Sequence, residues 1–342
     1  MNDVRIANYV IGPKHPVFVI AEAGINHNGS IDIAKKMVKF AKNAGADCIK
    51  FQTHIAEKEM IHSDIRPGKI SKKSLWNIIK SCELTESEEK KIKEYCKKMQ
   101  ILFLSTPFSK DAVDRLERLK VPAYKIGSGE LTNIPFLNYV AKKHKPVILS
   151  TGMSTIREIT DAIKLFEMYK VPLVVLQATS SYPAEYKDIN LGVIEKYEKL
   201  FNLPVGISDH SIGIYTAIGA VAKGACVVEK HFTLDKKMIG PDQRISLEPK
   251  ELAELVKGCQ AVKLALGKTK IILKKEKPVV QFGRESIVSI KNIEKNQIFT
   301  ENNISTKRPG TGIPAKYYYK ILGRKAKVNV FEDKQLSWND IV

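Results

Sequence analysis

Eight apolar runs rich in β-branched residues alternate along most of the chain with longer stretches of helical period. Such alternation is typical of a parallel sheet whose strands are joined by covering helices. Eight repeats is the number that closes such a sheet into a (β/α)8 barrel of about 250 residues. The predicted strands are PVFVIAE, CIKFQ, ILFLST, AYKIG, PVILS, LVVLQ, PVGIS and VVEKHF. We therefore expect an α/β fold built on a TIM barrel.

The chain of 342 residues is longer than one barrel, and its character changes after residue 267. The segment 268–281, which contains KTKIILKKEKP, is charged and lacks helical period, so it indicates a linker. Beyond it, 282–342 has short β runs, ESIVSI and KAKVNV, with turns at RPGTG and ILGRK. A mostly β module of about 60 residues is marginally stable alone, so we expect it to pack on a barrel. The predicted domains are 1–267 and 282–342.

The composition excludes several classes of protein. Hydrophobic residues make up 44% and charged residues 27% of the chain, as in soluble globular proteins. No apolar run approaches the roughly 20 residues of a membrane span, and the start of the chain lacks the apolar core of a signal peptide. Five scattered cysteines without a CxxC pair indicate reduced, unreactive thiols. We expect a cytoplasmic protein with no membrane partner.

A formal net charge of +19 raises the alternative of a nucleic-acid-binding protein. The lysines are spread over helix faces beside glutamates, as in SEEKKIKEYCKKMQ, and no RNP-like or zinc-finger motif is present. Dispersed charge of this kind does not form a binding stripe, so we expect no nucleic-acid partner. A basic surface attracts small polyanions, which suits a phosphorylated substrate.

Two histidines, His210 and His231, lie at the ends of two consecutive predicted strands. The ends of neighbouring parallel strands emerge on one rim of a barrel, so the two imidazoles are expected to converge. Two protein ligands leave positions open for substrate oxygens and water, which favours a catalytic divalent cation over a structural zinc. The alternative is that each histidine only ends a strand.

Nearly every other predicted strand also ends in polar side chains. In order these are Glu22, Asn26, His27, Lys50, Gln52, Ser105, Thr106, Lys125, Ser128, Glu130, Ser150, Thr151, Gln177, Thr179, Tyr182, Ser208 and Glu229. Catalytic groups of a barrel sit at these strand ends, so the ring predicts a pocket for a multiply charged anion beside a metal. The long stretch 54–81 after the second strand is expected to act as a lid or to bind substrate.

Lys50 and Lys125 lie inside apolar strands, where an unpaired ammonium would be costly. Each is compatible with a Schiff-base nucleophile of an aldolase, with a fixed counter-charge for phosphate and carboxylate, or with a buried salt bridge. Two such lysines, together with the glycine-containing loops GSGE and STGM, favour a cradle for an anion.

Eight motifs carry a resemblance over nearly the whole chain: IAEAGINHNGS, IKFQTH, FLSTPFS, YKIGSGE, ILSTGM, TSSYP, GISDHS and VVEKHFTLD, followed by GPD and KRPG. In this order they resemble the sialic acid synthase family. The resemblance implies a metal-dependent TIM barrel followed by a small, mostly β, C-terminal antifreeze-like (SAF, β-clip) domain. It implies condensation of phosphoenolpyruvate with an N-acetylmannosamine-type sugar to a nine-carbon 2-keto sugar acid, with release of phosphate.

The resemblance also assigns roles residue by residue. It implies a divalent metal, preferably Mn²⁺ with Mg²⁺ or Co²⁺ possible, on His210 and His231. It places phosphoenolpyruvate on Lys50, Thr106, Lys125, Ser128, Ser150 and Ser208, and the sugar on Gln52, Glu130, Tyr182 and Asp242. Glu22 would handle protons or water, and Glu229 would support the metal-site strand. Arg308 would reach the sugar in the partner's barrel, which implies a domain-swapped homodimer.

Two positions depart from the family's pattern. Ser180 stands where bacterial N-acetylneuraminate synthases typically have an asparagine near phosphoenolpyruvate. The asparagine expected after a PGN turn is not matched at Pro67, Gly68 and Lys69. The acceptor therefore stays open among N-acetylmannosamine, its 6-phosphate, and a diacetamido sugar of the legionaminic or pseudaminic type.

Overall fold

The computed structural model describes residues 3–66 and 73–342, which form two compact units divided after Gly267. The first unit opens with an antiparallel hairpin of strands β1 (Val4–Ile6) and β2 (Tyr9–Ile11), which the sequence analysis did not predict. The comparison made above at residues 67–69 lies outside the described residues.

Within the described residues, eight parallel strands make the central sheet of the first unit, as predicted. They are β3 (Phe18–Gly24), β4 (Cys48–Thr53), β5 (Leu102–Pro107), β6 (Tyr124–Ile126), β7 (Val147–Ser150), β8 (Leu173–Ala178), β9 (Val205–Asp209) and β10 (Val227–His231). Their order is β5-β4-β3-β10-β9-β8-β7-β6, and the two outermost strands, β5 and β6, also pack side by side. The sheet is thus a nearly closed barrel with all its carboxyl ends on one rim.

Helices follow each strand and cover the outside of the barrel. They are α1 (Ile31–Asn43), α2 (Ala56–Glu59), α3 (Leu75–Cys82), α4 (Glu86–Met99), α5 (Lys110–Arg118), α6 (Ile134–Ala141), α7 (Ile156–Met168), α8 (Gly192–Phe201), α9 (Tyr215–Ala222) and α10 (Pro249–Ala265). Local chemistry sets their ends. Thr85 and Thr155 form capping boxes at the starts of α4 and α7, and Gly45, at φ +86°, follows the end of α1 as predicted.

Two apolar layers fix the barrel. The outer layer lies between the strands and the helices, where α1 buries Ala34, Met37, Val38 and Ala41. The inner layer fills the barrel with Phe18, Ile20, Leu104 and Ile148, and it also includes Ile6 and Ile11 of the hairpin. Because the hairpin packs on this inner layer at the amino ends of the strands, the polar strand ends remain at the opposite rim.

The second unit has its own core, which contains Ile287, Phe299 and Leu336. Strand β11 (Ser286–Ser289) pairs antiparallel with β12 (Ile304–Lys307), and the short helix α12 (Tyr318–Ile321) follows. The prediction of a β run at KAKVNV was wrong. There, Lys325, Ala326 and Val330 make only isolated bridges. The three residues between Ala326 and Val330 are all exposed, so the side chains do not alternate with the period of a strand.

The predicted linker 268–281 contains more regular structure than its sequence indicated. Its first residues are exposed and irregular, but helix α11 (Lys277–Gly283) begins inside it. Pro278 lies in the first turn of this helix, where a proline needs no hydrogen-bond donor. Among the described residues, no helix is long and apolar enough to cross a bilayer.

Candidate active site

A cavity of about 300 Å³ opens at the carboxyl rim of the barrel, and we call it the charged cavity. It is not lined by six residues of the predicted ring of strand ends, Asn26, His27, Ser105, Thr151, Gln177 and Thr179, nor by Asp242 and Arg308. All the other predicted site residues line it. These are Glu22, Lys50, Gln52, Thr106, Lys125, Ser128, Glu130, Ser150, Ser180, Tyr182, Ser208, His210, Glu229 and His231. The parallel register brings them together, since it places one polar strand end beside the next.

A second cavity of about 430 Å³ shares walls with the first, and we call it the apolar cavity. Both cavities touch Gln52, Phe108, Glu130, Tyr182 and His231. The remaining walls of the apolar cavity are largely aliphatic and come from the turn after β3, from α2 and α3, and from residues 241–242. They include Ile25, Met60, Leu75, Ile78, Ile79, Pro241 and Asp242. The stretch 54–81, which we predicted to bind substrate or act as a lid, thus lines this cavity with its described residues.

Lys50 extends from β4 into the charged cavity and is only 2% exposed. Its Nζ lies 2.6 Å from Glu22 Oε2 and donates to Thr106 Oγ1 at 3.1 Å. Burial alone would lower the pKa of Lys50, but the carboxylates of Glu22 and Glu229 outweigh it and raise this pKa. The ammonium is therefore a permanent charge.

Lys125 extends from β6 and is equally buried. Its Nζ donates to Ser150 Oγ at 2.7 Å and lies 3.4 Å from Glu229 Oε1, which also accepts from Ser208 Oγ at 2.8 Å. Burial lowers the pKa of Lys125 in spite of this carboxylate. Both lysines thus form buried ion pairs, one of the alternatives left open above, and both also line the cavity.

The two carboxylates respond oppositely to the same surroundings. Burial raises the pKa of Glu22, and Lys50 offsets only part of this rise. Burial acts on Glu229 as well, but Lys125 and Lys50 together outweigh it and lower the pKa of Glu229. Glu229 is therefore the fixed anion between the lysines, whereas Glu22 is the carboxyl group that exchanges a proton near neutral pH.

The two histidines lie close together, with ring centroids 5.5 Å apart. His210 follows β9 and His231 is the last residue of β10. Burial is the main cause that lowers the pKa of His210 to about 4 and that of His231 to about 3, so both rings are neutral, the form that binds metals. The ring of Tyr182 packs on His210 at 4.3 Å.

The histidines fit a metal with two protein ligands. His210 Nδ1 donates to the carbonyl of Thr179 at 2.8 Å, which leaves Nε2 free to ligate, and buried His231 Nδ1 has no hydrogen-bond partner among the described residues. Asp242 Oδ2 lies 3.9 Å from that Nδ1. In the described part of the chain, no three His, Cys, Asp or Glu residues form a metal-binding group. An ion at this position would therefore need ligands from substrate or solvent.

The loops after β6 and β8 bring Ser128 and Ser180 to the charged cavity, and Gly152, in the loop after β7, lies beside both. Gly152 donates from its N–H to Ser128 Oγ at 3.0 Å. A Cβ on Gly152 would lie 2.2 Å from Ser180 Oγ and 2.8 Å from Ser128 Oγ, so any side chain here would displace both hydroxyl groups. Ser180 Oγ is buried and has no partner among the described residues, so it is available to a ligand.

Three acidic side chains line the apolar cavity, and two of them, Glu130 and Asp242, have raised pKa values. Burial is the largest cause that raises the pKa of Glu130 to about 7 and that of Asp242 to about 6. Each is therefore partly protonated at neutral pH and can donate as well as accept a hydrogen bond. Arg308 lies exposed in the second unit, so its predicted role stays a prediction.

Sequence reasoning missed a buried network behind the histidines. Lys230 Nζ binds Asp209 Oδ2 at 2.8 Å and donates to the carbonyl of Ser211, while Thr216 Oγ1 donates to Asp209 Oδ2. Both charged side chains are completely buried. The signal was present, because a lysine and an aspartate each stand directly before a predicted histidine ligand in an apolar strand.

Sequence reasoning also missed His54, Glu59 and Phe108, which all line the apolar cavity. The imidazole of His54 stacks on Phe108, with ring centroids 4.4 Å apart. The motif IKFQTH contains His54, but only its lysine and glutamine were singled out.

Comparison with known proteins agrees with this geometry. A model of the NeuB family matches residues 37–271, and a model of the SAF domain matches residues 284–342. The chain belongs to the NeuB family. This finding confirms the resemblance, and the SAF match confirms the C-terminal part of the predicted fold.

Similar proteins match over most of this NeuB family chain. An uncharacterized protein of Methanocaldococcus jannaschii is 46% identical over 100% of this chain and 99% of its own. The N,N'-diacetyllegionaminic acid synthase of Campylobacter jejuni is 40% identical over 92% of this chain and 97% of its own. The crystal structure of the N-acetylneuraminic acid synthetase of Leptospira borgpetersenii superposes with a TM-score of 0.74 and 37% identity, over 82% of this chain and 95% of that one.

Proposed function

We propose that this NeuB family member condenses phosphoenolpyruvate with N-acetylmannosamine or a related 2-acetamido hexose. Water is consumed, and a nonulosonic (sialic) acid and phosphate are formed. The observation that carries the proposal is the pair of adjoining cavities. One is lined by Lys50, Lys125 and a set of hydroxyl groups, and the other is largely apolar.

Phosphoenolpyruvate fits the charged cavity because its carboxylate and phosphate need cations and donors in fixed positions. Lys50 and Lys125 supply the charge, and the hydroxyl groups of Thr106, Ser128, Ser150, Ser180 and Ser208 supply donors. Glu229 lies between the lysines and keeps them in place. Because all of these groups except the hydroxyl of Ser180 are already held by hydrogen bonds, little reorganisation accompanies binding.

His210 and His231 would hold a divalent metal, preferably Mn²⁺ with Mg²⁺ or Co²⁺ as alternatives. Such an ion supplies Lewis-acid activation of the sugar aldehyde when bound. The support is the neutral state of both rings and the Nδ1 of His231, which has no hydrogen-bond partner in the part of the chain that the structure describes.

The reaction requires a carbon–carbon bond, a water molecule and a leaving phosphate. The enol carbon of phosphoenolpyruvate attacks the aldehyde carbon of the open-chain sugar, and the oxocarbenium-like C2 then takes water and expels phosphate. Glu22 is suited to accept the proton of that water, because its raised pKa keeps it near the point of exchange. Lys50 and Lys125 stabilise the anion throughout.

The apolar cavity favours a second candidate acceptor, a diacetamido-trideoxyhexose of the legionaminic or pseudaminic type. Ile25, Met60 and Ile78 would pack against acetamido methyl groups and the methyl group of a deoxy sugar. Apart from His54 and His231, no basic side chain occurs among the described residues that line this cavity, which disfavours a 6-phosphate.

The test is phosphate release from phosphoenolpyruvate with each of three acceptors: N-acetylmannosamine, its 6-phosphate, and a diacetamido-trideoxyhexose. We expect stoichiometric formation of a nine-carbon acid, detected by mass spectrometry, with the first or third sugar. Exhaustive chelation should abolish turnover without unfolding the protein, because a site with two protein ligands is not structural.

His210→Ala and His231→Ala should be folded and inactive, whereas His144→Ala, at an exposed histidine, serves as the matched control. Full activity after verified removal of all metal would contradict the metal assignment. If phosphoenolpyruvate releases no phosphate with any of the three acceptors, the proposed function is contradicted.

A further inference from the structure

A line of hydrogen bonds runs from the start of the 54–81 stretch into the charged cavity. Glu59, the last residue of α2, contacts His54 Nδ1 with both carboxylate oxygens, at 2.8 and 3.1 Å. His54 Nε2 lies 3.0 Å from Gln52 Oε1, and Gln52 Nε2 donates to Glu22 Oε1 at 3.2 Å. Glu22 in turn pairs with Lys50. The line therefore connects both cavities through the amide of Gln52.

The bonding capacity of each atom fixes where the hydrogens lie. Gln52 Nε2 donates to a carboxylate, so Gln52 Oε1 is an acceptor and can bind only a donor. His54 Nε2 must then carry a hydrogen. The contact between Glu59 and His54 Nδ1 needs one shared proton, on either the ring or the carboxyl group. The arrangement is complete in both cases, with no acceptor facing another acceptor.

The surroundings hold the imidazole of His54 in one orientation. The side chains of His54 and Glu59 are only 5% and 4% exposed. The imidazole stacks on Phe108 with an interplanar angle of 11°, and the Glu59 carboxylate also accepts from the backbone N–H of Ile55 at 3.3 Å. The ring is therefore fixed on its face by Phe108 and at its Nδ1 edge by Glu59, and its Nε2 edge is directed at Gln52.

We propose that His54 and Glu59 are positioning residues that orient the Gln52 amide for the acceptor sugar. One hydrogen of the Gln52 NH₂ group is donated in a hydrogen bond to Glu22, and the other remains available as a donor toward the cavities. The site then recognises an oxygen of the acceptor, either a hydroxyl group or an acyl carbonyl. This inference rests on the proposed function, because it takes Gln52 as a contact of the sugar.

Loss of the His54 donor removes one of the two contacts that set the orientation of the Gln52 amide and leaves only the one with Glu22. If the Gln52 amide flipped, its Oε1 would lie against the Glu22 carboxylate. The same oxygen, an acceptor, would then face the acceptor oxygen of the sugar. The site would discriminate poorly between sugar oxygens and N–H groups, while the lysines that hold phosphoenolpyruvate would stay in place. The expected defect is therefore confined to the acceptor.

The kinetic test uses variants that separate hydrogen bonding from packing. His54→Phe keeps an aromatic ring on Phe108 but removes the donor, and it should raise KM for the acceptor about tenfold. KM for phosphoenolpyruvate should stay at the wild-type value, whereas the thermal unfolding midpoint should fall, because the buried Glu59 carboxylate loses its partner. His54→Gln, which regains an N–H donor, should recover part of the loss. His62→Phe, the same change at an exposed histidine of the same stretch, is the control and should resemble wild type.

A double-mutant cycle with Gln52→Ala tests whether the effect acts through Gln52. In that background His54→Phe should have no further effect, because the amide that it orients is absent. Additive losses would overturn the inference, as would a wild-type acceptor KM in His54→Phe or equal rises in both KM values.

Histidine ¹H–¹⁵N spectroscopy tests the same inference without turnover. The His54 signal, assigned by its absence in His54→Phe, should show a hydrogen on Nε2, and a bare Nε2 would overturn the inference even in an active enzyme. If the wild type releases no phosphate with any acceptor, the proposed function fails, and the role in acceptor binding fails with it.

Discussion

At the scale of single residues, the two lysines of the charged cavity are already paired with two of its carboxyl groups, Glu22 and Glu229, before any substrate binds. Lys50 and Lys125 could be predicted as site residues because a lysine inside an apolar strand is costly to bury unless it has a partner or a ligand. Their partners could not, because Glu22 and Glu229 come from distant parts of the chain and the pairing depends on side-chain geometry. Sequence alone therefore indicated the ring of residues but not which charge neutralises which.

The chemistry of Lys125 follows from this pairing and can be tested. Its lowered pKa would also suit a Schiff-base nucleophile, but Glu229 and Ser150 hold the ammonium as a counter-charge. We expect no borohydride-trapped adduct with pyruvate and no turnover of pyruvate. Lys125→Met should fail to bind phosphoenolpyruvate in calorimetry. A pyruvyl adduct at Lys125, found by peptide mass spectrometry, would instead indicate an aldolase.

The buried pair of Lys230 and Asp209 predicts a large effect on stability. Lys230→Met leaves the Asp209 carboxylate buried with one hydroxyl donor and one backbone N–H, from Thr216 and Ser211. The free energy of unfolding should fall by about 3–5 kcal/mol, measured by denaturant titration.

The control for this prediction is Lys223→Met, which removes an exposed pair with Glu195 and should cost less than about 1 kcal/mol. Combining Lys230→Met with Asp209→Leu should recover much of the loss, because no charge then remains buried. A double variant as unstable as the single one would show that the pair has another role.

At the scale of elements, the eight strands were predictable because parallel strands covered on both faces are continuously apolar. The hairpin β1–β2 was not, since each of its strands has three residues and no alternation long enough to detect. Helix α11 was missed because a short, exposed helix with charged neighbours carries little hydrophobic period. The predictable elements are those whose burial is large and repeated.

Helix α4 provides a prediction about pH. Burial is the largest cause that raises the pKa of Glu89 to about 7, although Arg115 lies 3.7 Å away. The folded protein keeps this proton at a pH where the unfolded chain has lost it. The stabilisation is therefore full below the ordinary glutamate pKa and is lost as the pH rises to about 7.

Glu89→Gln removes this dependence on pH. Between pH 4.5 and 7, the free energy of unfolding of the variant should therefore rise relative to that of wild type by roughly 1–3 kcal/mol. Thermal unfolding across that range measures the gain. Glu94→Gln, at an exposed position of the same helix, should show no such trend. A constant difference between Glu89→Gln and wild type at all pH values would contradict the assigned shift.

At the scale of the whole molecule, the chain consists of two units with separate hydrophobic cores. The change in composition after residue 267 made this division visible, since each unit has its own apolar pattern. The pattern of apolar residues does not indicate whether a residue of one subunit completes the site of another. The proposed homodimer and the role of Arg308 therefore depend on the family resemblance and need their own test.

Subunit exchange provides that test. His231→Ala inactivates a barrel, and Arg308→Ala should cost about 2–4 kcal/mol of transition-state stabilisation if its guanidinium reaches the partner's sugar site. A mixture of the two variants should recover activity, up to about half of wild type in the heterodimer, because one intact barrel then meets one intact Arg308. Native mass spectrometry verifies exchange. No recovery after exchange would place Arg308 in its own chain's site, or in none.

The apolar inner layer, together with Ile6 and Ile11 of the hairpin β1–β2, closes the amino end of the barrel, so the barrel is not a channel. Any ligand of Lys50 and Lys125 must therefore enter and leave through the opening at the carboxyl rim. Phosphate formed among those lysines would then be trapped beneath a nine-carbon product until that product leaves. For the proposed reaction, a single entrance predicts an order in which phosphoenolpyruvate binds before the sugar and phosphate leaves last. Product inhibition would report this order, with phosphate competing against phosphoenolpyruvate and not against the sugar.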